Sequence, residues 1–192
     1  MKLSRQLIIF FFILIAVTTI VKIICAPQIN LSGFSTVIAV ALFAGITVKE
    51  KKFAFLLPLL ALFISDSLQQ LLYVLNLFPY EGFYSGQLYN YALLVLITLV
   101  GIGLRNYKTP GIIAAAFIGP TVFFLLSNFV VWKTQGSFMG YSNDINGLLQ
   151  SYTLGLPFYR NSLMATIIFL PAFIGFYHWM KYRKFSLQVA EK

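Results

Sequence analysis

Lys49–Leu75 reads KEKKFAFLLPLLALFISDSLQQLLYVL. A basic preamble leads into an apolar run, Phe53–Leu75, longer than the roughly 20 residues that carry a helix across a bilayer. Within that run stands one carboxylate, Asp66. The stretch therefore decides two things together: the chain enters a membrane, and it takes an ionisable group in with it.

Working outward, five further apolar runs appear, giving spans at about 7–25, 31–48, 53–75, 88–104, 111–131 and 161–180. Composition agrees. Of 192 residues, 59% are hydrophobic and 10% charged, against roughly a quarter charged in soluble domains. The expected fold is an all-α integral membrane protein, a single membrane domain over 1–192 with six transmembrane helices. The first run follows Lys2 and Arg5 like a signal peptide, but it is long, Lys22 interrupts its far end, and no small-x-small cleavage site follows, so it reads as helix 1.

Charge gives direction. Placing the N-terminus in the cytoplasm puts Lys2, Arg5, Lys49, Lys51, Lys52, Arg105, Lys108, Lys181, Arg183, Lys184 and Lys192 on the inside, and leaves only Lys22, Lys133 and Arg160 outside. Cytoplasmic segments accumulate Lys and Arg, so both termini are expected inside, in the cytoplasmic (inner) membrane of a bacterial cell. The net charge of +9 is thus accounted for by orientation rather than by nucleic acid. The long outer segment 132–160 is expected to be a loop carrying a short interfacial helix, because Ile145, Leu148, Leu149, Tyr152 and Leu156 recur at helical spacing. Aromatic residues such as Tyr84, Tyr89, Tyr91 and Tyr141 crowd the span ends as interfacial anchors.

Polar groups inside the spans mark the candidate site. Asp66, Gln69, Gln70 and Tyr73 fall at i, i+3, i+4 and i+7, one stripe of helix 3. Asp66 lies about 20 Å along that helix from Phe53, at 1.5 Å per residue, and so in the outer half. Gln87, Tyr89 and Asn90 on helix 4, Ser127, Asn128 and Trp132 on helix 5, and Arg160 and Asn161 at the start of helix 6 reach a similar level. These groups predict a pocket that opens outward. A structural reading stands beside it: Asp66 satisfied by Ser65, Ser67 or a helix-end amide, or paired with Arg160, and Asn128 and Asn161 serving as interhelical hydrogen-bond glue. Pro58, Pro120 and Pro171 kink helices 3, 5 and 6, and Ala41 and Gly45 have the small-xxx-small spacing of a close helix contact, internal or with a partner.

Enzyme chemistry finds no footing. The one cysteine, Cys25, and the one histidine, His178, make no metal set. Asp144-Ile-Asn-Gly lacks the remaining ligands of a calcium loop. No phosphate-binding glycine loop, HExxH or Ser-His-Asp set is present, and no cofactor is expected.

Segments Asn30-Leu-Ser-Gly-Phe-Ser-Thr-Val-Ile-Ala-Val-Ala-Leu-Phe-Ala-Gly, Leu57-Pro-Leu-Leu-Ala-Leu-Phe-Ile-Ser-Asp, Leu126-Ser-Asn-Phe-Val-Val-Trp and Leu156-Pro-Phe-Tyr-Arg-Asn-Ser-Leu resemble an uncharacterised bacterial multi-pass membrane family. That family is similar to the substrate-binding S components of energy-coupling factor (ECF) transporters. The resemblance runs from about Asn30 to Met180. It implies a six-helix subunit that takes a vitamin, a metal or another small solute from the outside and works with an ATP-driven partner module. Helix 1 lacks the alanine-rich AxxxA patch by which many S components dock on their partner. The expected function is solute binding and transport; the alternative is a non-transporting membrane subunit that scaffolds a larger complex.

Overall fold

The computed structural model describes residues 5–190, and every regular element in them is helical. The elements are α1 (Arg5–Cys25), α2 (Val37–Thr47), α3 (Lys51–Val74), α4 (Gln87–Leu104), α5 (Lys108–Met139) and α6 (Ile145–Ala190). Short 3-10 turns at Ile29–Leu31 and Arg105–Tyr107 lie between them. Five helices are long and apolar enough to cross a membrane, as expected of a multi-pass membrane protein. The end of the bundle where α1 finishes and α6 begins is called distal below.

The sixth helix departs from expectation. α2 has 11 residues, about 16 Å at 1.5 Å per residue, roughly half of a 30 Å hydrocarbon core. The predicted span began at residue 31, but the helix starts only at Val37, because Gly33 sits at φ 84°, in the left-handed region that ends a right-handed helix. Residues 26–36 instead form an irregular strap that covers the distal half of the path α2 would have taken. Irregular backbone at membrane depth needs hydrogen-bond partners from the protein, and α6 supplies them. The Asn161 amide donates to the Asn30 and Ser32 carbonyls, each at 2.9 Å, and the Ser162 hydroxyl donates to the Gly33 carbonyl at 2.8 Å.

Where α2 is helical it is an axle, packed against α3, α4, α5 and α6, with Ile38 through Gly45 all buried. A helix that is apolar all round belongs in such a position. Gly45 and Gly101 let α2 and α4 touch along their backbones: a Cβ on Gly45 would fall 2.4 Å from the Thr98 carbonyl oxygen, and one on Gly101 2.7 Å from that of Leu42. The Ala41/Gly45 face is therefore an internal contact. At the other end of α2, Arg105 donates to the Gly45 and Val48 carbonyls at 2.6–3.0 Å, a cation set on the carboxyl end of a helix.

The expected outer loop is a helical hairpin. α5 continues to Met139, α6 begins at Ile145, and only residues 140–144 connect them. The stretch expected to be an interfacial helix is the first third of α6, which runs on through Pro157 and Pro171. Pairing explains the continuity: the Ser151 hydroxyl donates to the Asn128 carbonyl, the Tyr152 hydroxyl to that of Leu125, and Trp132 Nε1 to that of Ser142. Gly155 presses so close to α5 that a Cβ there would lie 2.4 Å from Asn128 Oδ1. Pro58 and Pro120 lie inside α3 and α5, as expected.

Candidate functional site

Asp66 is the buried charge of the bundle, 1% exposed. Its partner is Lys22, near the distal end of α1, whose ammonium pairs with Oδ1. α4 completes the shell: the Gln87 amide and the Tyr91 hydroxyl, the latter at 3.2 Å, both donate to Oδ2. A buried carboxylate is tolerable when its charge is compensated and its lone pairs are taken. Donors from two helices, α1 and α4, converge on an acceptor from α3, so the cluster also ties α1, α3 and α4 together.

Beside the ion pair is a cavity of about 340 Å³. Lys22, Asp66, Gln69, Gln87 and Asn90 give it a polar wall; Leu62, Leu94, Phe123, Ile38 and the strap residues Leu31 to Ser35 close it with largely apolar surface. The short α2 makes this space possible. A full-length helix would fill the volume that the strap leaves open.

Gln69 and Gln70 shape the site from α3. Gln69 Nε2 donates to the Glu81 carbonyl at 2.7 Å and toward that of Tyr80 at 3.4 Å, and Gln70 Oε1 accepts the Gly82 and Phe83 amides at 2.9 and 3.1 Å. Both hold the α3–α4 connection, residues 75–86, down on the helix. It lies so near that a Cβ on Gly82 would sit 2.0 Å from the Asp66 carbonyl oxygen. Gln69 Oε1 is left buried with no partner.

Of the residues expected to line a site, Asp66, Gln69 and Asn90 face one cavity; Asn90 donates to the Tyr84 hydroxyl beside it. The others lie elsewhere. Gln70 anchors the connection. Tyr73 borders a separate open depression formed with residues 74–79. Asn128 bonds within α5, to the Phe124 carbonyl at 2.9 Å, and packs under Gly155, the interhelical role that stood as its alternative. Trp132 braces the hairpin. Arg160 is exposed and does not pair with Asp66. Asn161 holds the strap.

Lys22 and Tyr91 were not among the expected site residues, and Gln87 was expected only as one of the polar groups at the start of helix 4. A signal for Lys22 was present: it breaks the basic-inside alternation, and at 1.5 Å per residue it lies about 26 Å along α1 from Arg5, against about 22 Å for Asp66 from Lys51. Two opposite charges out of place at similar depth make Lys22 a candidate partner for Asp66, beside Arg160.

Asp144, the fragment that suggested part of a calcium loop, caps α6. Its Oδ1 accepts the Gly147 amide at 2.9 Å and the Ser142 hydroxyl at 2.5 Å, and these bonds hold its pKa below the ordinary carboxylate value. Among the described residues no three His, Cys, Asp or Glu side chains gather into a metal site.

In comparison with known proteins, a family described as a family of unknown function (DUF6580) matches residues 2–189. No curated protein and no solved structure matches the chain.

Proposed function

The chain belongs to a family of unknown function, DUF6580, and from the site we propose that it is an S-component-like membrane subunit that captures a small solute from the extracytoplasmic side and passes it to a transport system. The observation that carries this reading is the cavity itself: about 340 Å³ is a size suited to a small molecule, walled by apolar groups and by the Lys22–Asp66 ion pair. Ionisable groups inside a membrane cost free energy and mark function. With both termini in the cytoplasm, as the basic residues argue, the cavity lies in the outer half and meets solute before the membrane interior does. An ATP-driven partner module is the source of energy that the resemblance to S components implies.

Native mass spectrometry of protein extracted gently from its own membranes tests the reading. A reproducible small-molecule adduct is expected, and Leu62→Trp, which puts an indole into the cavity lining, removes it. No adduct, with a stoichiometric protein partner in its place, overturns the reading in favour of a scaffold subunit. The scaffold alternative has already lost one of its surfaces, because the Ala41/Gly45 face is occupied by α4.

A further inference from the structure

Counting the hydrogen-bonding capacity of the cavity wall narrows what it takes. Asp66 is committed: its carboxylate receives Lys22, Gln87 and Tyr91. Gln87 spends its amide on Asp66, and its Oε1 faces the Tyr84 amide at 3.4 Å. Gln69 spends its amide on the Glu81 and Tyr80 carbonyls. Turning that side chain over would aim its oxygen at those two carbonyls, so the orientation is fixed by its partners. Apart from Asn90, whose amide donates to Tyr84 at the edge of the wall, two capacities remain beside the carboxylate. Gln69 Oε1, on a residue 5% exposed, has no donor, and a buried acceptor without a donor is costly. The Lys22 ammonium carries three donors and gives one to Asp66. The wall therefore asks for one N–H or O–H and offers N–H in return, on either side of a carboxylate that is already satisfied.

Charge narrows it further. Lys22 and Asp66 cancel, so an anion or a cation entering the cavity would bring a charge with no counter-charge into a low-dielectric site. Beside these polar groups, Leu62, Leu94, Phe123 and Ile38 suit an apolar body.

Resting on the capture reading above, we propose that the ligand is an uncharged amide on an apolar ring, its N–H donating to Gln69 Oε1 and its carbonyl accepting from Lys22. Saturation-transfer NMR on the full chain in lipid nanodiscs tests this with three probes of one ring: benzamide, benzoate and benzylammonium. Benzamide is expected to bind, to weaken about tenfold in Gln69→Met, the scale of one lost hydrogen bond, and to bind unchanged in Gln70→Met. The last variant loosens the same α3–α4 connection without altering the cavity acceptor, so equal losses in both glutamine variants would reduce Gln69 to a structural anchor and overturn the assignment. Benzoate or benzylammonium binding in preference to benzamide, and lost in Leu62→Trp, would leave solute capture standing and overturn the amide class. Failure of all three to give a signal sensitive to Leu62→Trp would overturn the capture reading and the amide proposal with it.

Discussion

Lys22 and Asp66 are each out of place by the ordinary rules of membrane sequences, and each is explained by the other. Removing one member of a buried pair leaves the other uncompensated, a cost of about 3–5 kcal/mol. Lys22→Met is therefore expected to destabilise the protein by about 3 kcal/mol, toward the lower end because Gln87 and Tyr91 still serve the carboxylate. Adding Asp66→Asn to Lys22→Met should recover at least half of that loss, since the orphaned charge is gone. Reversible unfolding in mixed micelles measures the cycle, and additive losses would mean that the two charges do not interact. At this scale the sequence was half legible. The stripe Asp66, Gln69, Gln70 pointed to the helix that carries the buried carboxylate and lines the cavity, because helical spacing is a local property. The partner of Asp66 was expected, if anywhere, at Arg160, and is Lys22. Choosing between two cations requires knowing which helices are neighbours, and spacing along one chain does not carry that.

At the scale of elements, terminators decided where the expectations failed. Gly33 stops α2 short and creates the strap, whereas α5 and α6 run on past the lipid-spanning length because they have each other to pack against. Hydropathy finds the apolar part of a helix but not where it ends, so the α5–α6 hairpin read as a loop. Asp144 turns the chain into α6 and offers a test. Its carboxyl titrates below its ordinary value of 3.8 because the Ser142 hydroxyl and the Gly147 amide favour the ionised form. An acid whose pKa is lower in the folded state than in the unfolded state stabilises the fold fully above the unfolded value. That contribution is lost as the pH falls through the folded one. Wild type should thus melt higher than Asp144→Asn at neutral pH, Asn keeping the cap but not the charge, and the two melting curves should converge below pH 3.8. A gap that persists in acid would show that the cap does not depend on ionisation.

The described residues form a bundle in which a short, largely buried α2 packs among longer helices, and the basic residues of its connections predict a direction in the membrane. In a Cys25→Ser background, Asn143→Cys in the hairpin turn should react with an impermeant maleimide on intact cells, and Asn106→Cys in the α4–α5 connection only after permeabilisation. The reverse pattern would invert the topology and put the cavity on the cytoplasmic side. One consequence of the ion pair belongs to this scale. Lys22 and Asp66 touch, so they occupy the same depth in any transmembrane voltage. The work of about 2.3 kcal/mol per elementary charge per 100 mV done on one is returned by the other. Any displacement of the pair along the membrane normal would therefore be electroneutral, neither driven nor resisted by the membrane potential.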